Sequence, residues 1–187
     1  MELQEKISLV RQIAPPVSGL PKSTLLNLKV GSVVRINTLP NPLQMVEQVF
    51  EYTETNKHGE KKKFKWKEYM LRDLKDFSVR FLEVEDDDEL EAYLTGEKVS
   101  QGRLSDTPHK GLKQLCIEGS PIGTLYLEEF CHAVFDGKNG EESVLMLDYE
   151  ADSGEMLGVE VWEGGNIEAF FYKEVNVKQI EVVSHAE

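Results

Sequence analysis

From residue 30 to residue 183 the chain is a succession of short runs rich in Val, Ile, Leu, Phe, Tyr and Trp, separated by small clusters of Gly, Asn, Asp and Ser. Side chains on a strand point to alternate faces, so a run in which every second residue is apolar suits a half-buried strand and leaves a helix without a continuous apolar stripe. Strands are expected over residues 30–37, 44–53, 63–72, 78–85, 89–94, 112–118, 124–135, 143–150, 156–163, 167–173 and 175–183. The clusters Asn56-Lys-His-Gly59, Asp136-Gly-Lys-Asn-Gly140, Asp152-Ser-Gly154 and Gly164-Gly-Asn166 supply residues that tolerate positive φ where a hairpin reverses. The expected fold is therefore mostly β, with antiparallel meanders forming a barrel- or sandwich-like, two-lobed domain.

Before the first strand, Leu3, Ile7, Leu9, Val10 and Ile13 form an imperfect helical stripe that stops at Pro15 and Pro16. Residues 1–27 are read as an N-terminal helix or arm, 28–94 as a first β lobe and 112–187 as a second, acidic β lobe. Between the lobes, residues 95–111 are rich in Gly, Ser, Thr and Asp, with Val99 and Leu104 as the large apolar residues, and read as a loop.

Charge narrows the possible partners. The 187 residues carry a net charge of −13, which repels nucleic acid over most of the surface. Residues 1–94 hold 14 basic and 16 acidic side chains and residues 95–187 hold 7 and 18, so the two parts carry −2 and −11. No run approaches the ~20 apolar residues of a membrane-spanning helix, and Met1-Glu-Leu-Gln-Glu-Lys lacks the apolar centre of a secretion signal. A cytoplasmic protein is expected, with any membrane association peripheral. Cys116 and Cys131 have no Cys-x-x-Cys spacing and no neighbouring His cluster, so no metal or other cofactor is expected.

Two charge runs stand out. Lys61, Lys62, Lys63, Lys65 and Lys67 are interleaved with Phe64 and Trp66. On a strand, Lys63, Lys65 and Lys67 share one face, which suits docking on an acidic or phosphate-bearing partner, or guards a sheet edge against aggregation. Residues 83–91 hold seven carboxylates, three of them consecutive aspartates, without the spaced ligands and turn glycine of a calcium loop. This run reads as an acidic hairpin near the lysines, where opposite charges across strands help to fix register.

A third pattern bears on chemistry. Glu68 stands two residues from Trp66, and Glu160 two residues from Trp162, so each pair shares a strand face. Two carboxylates in an apolar, Trp-lined cleft can work as acid and base, because burial raises one pKa while the other group stays ionised. Tyr69 borders that candidate cleft. Beyond Glu68 the apolar phase switches to Tyr69 and Leu71, so a bulge is expected to turn Glu68 outward. The four histidines are scattered, and no nucleophile elbow, phosphate loop or dinucleotide fingerprint occurs, so no catalytic residue is assigned.

Leu28-Lys-Val-Gly-Ser-Val-Val34, Phe64-Lys-Trp-Lys-Glu-Tyr-Met-Leu71 and Arg80-Phe-Leu-Glu-Val84 resemble successive blocks of the bacterial family called domain of unknown function 4178. Leu147-Asp-Tyr149, Gly154, Val159-Glu-Val-Trp162 and Glu168-Ala-Phe170 are similar to its closing blocks, and Ser32 departs from it where an acid is commoner. The resemblance implies a β-rich fold and no known activity or cofactor. It also implies a genomic neighbourhood shared with phage-shock-protein-A-like membrane-stress proteins and small membrane proteins. The expected role is a non-enzymatic interaction module with a protein partner, membrane-associated in one form. The alternative is a small-molecule-binding or hydrolytic barrel using Glu68 and Glu160.

Overall fold

The computed structural model describes residues 22–137 and 140–186. A 3-10 turn, Lys22–Asn27, leads to β1 (Val33–Ile36), β2 (Leu43–Thr55), β3 (Lys61–Asp73), β4 (Val79–Asp86), β5 (Leu90–Val99) and β6 (Gln114–Cys116). Then follow β7 (Thr124–Gly137), β8 (Gly140–Ala151), β9 (Met156–Trp162), β10 (Ile167–Glu174) and β11 (Ile180–Ser184). The fold is all-β and antiparallel, as the alternation requires. The expected helix or arm before Lys22 lies outside the described residues.

Two expectations are corrected. Residues 95–99 are not loop: β5 continues to Val99 because β10 lies beside it and supplies a cross-strand partner for Lys98 in Glu168. The expected strand 175–183 is divided, since Asn176 caps a 3-10 turn at Val177–Gln179 by accepting from the Lys178 N–H, and β11 begins only at Ile180.

The chain forms two compact units that interleave in sequence. One takes the residues through Phe50, Trp66–Leu94 and the C-terminal residues from Glu174; the other takes Glu51–Lys65 and Thr95–Lys173. β2, β3 and β5 therefore each contribute a different end to either unit.

In the first unit β1 pairs with β11 and β2, with Val34 opposite Val182 and Ile36 opposite Ile180. β4 pairs with β3 and β5, placing Leu82 between Tyr69 and Leu94. The Val175 N–H donates to the Ala92 carbonyl at 2.8 Å, so the chain entering β11 runs along β5. Val175, Val182, Val34, Leu82 and Tyr69 all belong to one buried cluster. Each fully buried aliphatic side chain there contributes about 1.5–3 kcal/mol.

The β3–β4 turn of this unit is built around Asp73, which is fully buried. Its carboxylate accepts from the Lys75 N–H at 2.7 Å, the Asp76 N–H at 3.2 Å and the Gln44 amide at 3.1 Å. That bracket holds Phe77 at φ 63°, a residue 56% exposed.

In the second unit β7 and β8 form a long hairpin. β6 pairs with the start of β7 and the end of β2 with its far part, while β9 and β10 follow on the other side of β8. Leu147, Tyr149, Leu157, Val159, Ile167 and Ala169 point to one face and form a buried core with Leu115, Ile117 and Leu125. The intervening residues of β8, β9 and β10 are left to the opposite face.

Candidate functional site

That opposite face is where charged chemistry collects. Register places Asp148 of β8 beside Gly158 of β9, and Gly158 beside Phe170 of β10. One step along, Met146, Glu160 and Glu168 form the next row, and Val144 and Trp162 the one after. Strand pairing alone therefore sets two carboxylates, Glu160 and Glu168, directly opposite each other, an unfavourable arrangement unless a cation intervenes.

One cation is built in. The Lys98 ammonium meets the Glu168 carboxylate at 2.7 Å and sits 5.0 Å from the centre of the Phe170 ring. Glu168 and Phe170 are two residues apart on β10, so both face this lysine. Among the described residues no cation reaches ion-pair distance of Glu160.

Asp148 is held differently. The Tyr172 hydroxyl reaches from β10 across β9 and donates to Asp148 Oδ1 at 2.9 Å. Gly158 makes this crossing possible, since a Cβ there would lie 3.4 Å from the Tyr172 ring and 3.8 Å from Asp148 Oδ1. Anything larger than alanine would occupy the path.

Burial governs the titration of both acids. Desolvation raises Glu160 to about 7, with repulsion from Glu168 and Asp148 adding to it and Lys98 opposing. The Trp162 indole N–H lies near enough to oppose the shift as well, without closing a well-formed hydrogen bond. Asp148 rises to about 6, chiefly by desolvation and also by repulsion from Glu129, against the Tyr172 hydrogen bond. Beyond Glu160 the same face is aromatic. Trp162 makes an edge contact with Phe135 at 5.6 Å between ring centres, and Phe135 lies 5.3 Å from Tyr52. An aromatic row thus leads into a group of carboxylates, a combination that binds organic cations. Among the described residues no three His, Cys, Asp or Glu side chains converge to hold a metal ion.

The residues singled out from sequence fall in several places. Glu160 and Trp162 belong to this face. Trp66, Glu68 and Tyr69 lie on the part of β3 in the first unit. Tyr69 is fully buried in that unit's core. No bulge separates Glu68 from Tyr69, because β3 and β4 pair without a break from Trp66 to Arg72. Burial changes side instead: Trp66 is buried on one face of β3, Tyr69 and Leu71 on the other.

The lysine strip is exposed and largely charge-compensated. Lys65 pairs with Glu51 at 2.8 Å, Lys62 with Glu54 and Lys61 with Glu141, while the Lys67 ammonium donates to the Leu26 carbonyl at 2.8 Å. Lys63 projects into solvent. The acidic run occupies the β4–β5 hairpin, where Glu85 lies opposite Trp66 and Glu83 opposite Glu68. A depression of about 630 Å³ along residues 101–107 is lined by Gln101, Leu104, Ser105, Asp106 and Thr107, none of them on the carboxylate face.

Sequence reasoning missed Asp148, Glu168, Tyr172 and Lys98 as site residues. The one available signal was the repeated Glu-x-aromatic spacing, Glu160–Trp162 and Glu168–Phe170, read only in its first copy.

No helix among the described residues is long and apolar enough to cross a membrane. No curated protein and no solved structure matches the chain. The family model described as Domain of unknown function (DUF4178) matches residues 45–175, more than half of the chain, and the chain belongs to that family.

Proposed function

We propose that the chain is a non-enzymatic interaction module whose binding surface is the carboxylate and aromatic face of β8, β9 and β10, and whose partner presents a basic segment. The observation that carries this reading is the imbalance on that face. Glu160, Asp148 and Glu168 stand together in partly desolvated surroundings with Lys98 as the built-in counter-charge. Desolvated like charges are costly alone and become favourable when a cation of matching geometry arrives. Residues 95–173, which hold 15 acidic and 6 basic side chains, would attract such a partner. The lysine strip is the weaker surface, because its ion pairs with Glu51, Glu54 and Glu141 spend most of its charge locally.

The genomic neighbourhood with phage-shock-protein-A-like membrane-stress proteins implied by the resemblance indicates where to look for the partner. In this reading the chain is a cytoplasmic accessory of an envelope-maintenance system, held at the inner face of the membrane through its partner.

The test is affinity purification from the native host after mild cross-linking, with soluble and membrane fractions analysed separately. The native chain is compared with a Glu160→Gln, Asp148→Asn double variant and with a variant carrying Glu at Lys62, Lys63, Lys65 and Lys67. A partner lost in the first variant and kept in the second supports the proposal. A partner kept in the first and lost in the second moves the surface to the lysine strip. Capture indifferent to both defeats the charged-surface reading.

A further inference from the structure

The second unit contains the same local arrangement twice, once filled and once open. On β10, Glu168 and Phe170 share a face two residues apart, and the Lys98 ammonium rests between carboxylate and ring, 2.7 Å from one and 5.0 Å from the centre of the other. On neighbouring β9, Glu160 and Trp162 have the same spacing and, through the pairing of Glu160 with Glu168, project from the same side of the sheet. There, no cation lies within ion-pair distance among the described residues. The Trp162 indole nitrogen is shielded from solvent, and its N–H bears on the Glu160 carboxylate without closing a well-formed hydrogen bond.

We infer that Glu160 and Trp162 form the seat for one protonated side chain, arginine or lysine, delivered by the basic partner segment, in the way that Glu168 and Phe170 seat Lys98. The inference rests on the functional reading above and fixes its anchoring contact. Tryptophan is the best of the aromatic faces for a cation, and a guanidinium can stack on the indole while forking toward the carboxylate. Asp148 contributes negative potential from β8, and its bond to Tyr172 keeps that carboxylate in place. Phe135, at 5.6 Å between ring centres and edge-on to Trp162, packs against the indole.

Binding of a cation is linked to ionisation of Glu160. The groups that bear on it are Asp148 on β8, Glu168 on β10 and Lys98 on β5, with Trp162 beside it on β9; Tyr172 and Glu129 act in turn on Asp148, and Cys131 of β7 lies opposite Met146 in the same row. Since Glu160 titrates near 7, its ionised share falls from about nine-tenths at pH 8 to about three-hundredths at pH 5.5, so affinity should fall at least tenfold between these values.

The experiment is titration of the ¹⁵N-labelled full chain with acetyl-Gly-Arg-Gly-amide, its lysine counterpart and the neutral citrulline counterpart. The Trp162 indole N–H resonance, assigned with Trp162→Phe, is the readout. The expected result is a saturable shift with the arginine or lysine peptide at pH 8, at least tenfold weaker at pH 5.5, absent with citrulline, and absent in Glu160→Gln. The relative size of the arginine and lysine shifts identifies which head group the seat prefers. A silent Trp162 resonance, an equal shift with citrulline, or an undiminished shift in Glu160→Gln overturns the inference. If cross-linked partner capture still needs Asp148 and Glu160 while Trp162 stays silent, the seat alone is refuted. If capture is also indifferent to those residues, the functional reading falls with it.

Discussion

Replacing Glu160 by glutamine should make the protein more stable at pH 8 and leave it unchanged at pH 4.5. The folded state raises this carboxyl from 4.5 to about 7, mainly through desolvation. Below pH 4.5 the group is protonated both folded and unfolded, and burial costs little. As pH rises toward 7, the unfolded chain releases the proton while the folded chain retains it, so stability declines across that window and levels off above it. At about 1.4 kcal/mol per pKa unit the full loss is about 3 kcal/mol, of which part is repulsion shared with Asp148 and Glu168. Glutamine keeps the shape and removes the charge. Its advantage should be about 2–3 kcal/mol at pH 8, a rise of roughly 1 M in the urea midpoint for a chain of this size. Urea unfolding at half-unit steps from pH 4.5 to 8.5, followed by far-ultraviolet circular dichroism, measures it. Parallel profiles for the two proteins, or a native chain more stable than the variant at pH 8, would refute the reasoning. A residue that destabilises the fold while remaining in place is what a binding group looks like, since sites exchange stability for function.

Three further outcomes follow from the geometry. Tyr172→Phe removes the donor at 2.9 Å from Asp148, so the Asp148 titration should move above about 6 and stability should drop by about 1 kcal/mol. Carboxyl ¹³C titration reads the first effect, and an unmoved Asp148 contradicts the assigned bond. Gly158→Ala should be tolerated, because its Cβ would stand 3.4 Å from the Tyr172 ring, whereas Gly158→Val should displace that ring and cost about 1–3 kcal/mol. Equal melting temperatures for the two variants would rule this out. Phe77→Asn should stabilise the β3–β4 turn by up to about 1 kcal/mol, since asparagine accepts φ near 63° better than phenylalanine does. The exposed ring has little packing to lose. A lower denaturation midpoint for Phe77→Asn would show that the ring carries contacts that outweigh the backbone strain.

Much of the fold was legible because strand periodicity is a local property. The sequence readings of β2, β3, β4, β7, β8, β9 and β10 fall on the observed elements, since each holds an alternating run between turn residues such as Asn56 and Gly59 or Asp152 and Gly154. The reading stopped early at Leu94 because Thr95, Gly96, Glu97 and Lys98 carry no apolar alternation. What keeps them in a strand is β10 alongside, whose Glu168 stands seventy positions beyond Lys98. The family resemblance likewise rested on short local blocks, which is why it could be read from the sequence.

The site was half legible. Glu160 and Trp162 could be paired from their spacing, because residues two apart on a strand share a face whatever the fold. Their connection to Glu68 could not be judged that way. β3 changes units along its own length, between Lys65 and Trp66, and nothing local marks the transition. Nothing in the block Leu147-Asp-Tyr149 marks Asp148 as a site residue. Only the order β8, β9, β10 puts it beside Gly158 and under the Tyr172 hydroxyl. Sequence by itself thus determined the strands, the turns and the acidic balance, all set by neighbours within a few residues. Tertiary structure alone decided which carboxylates meet and which receives a lysine. Those outcomes depend on strand order and register, where displacement by a single residue would send every charged group to the opposite face.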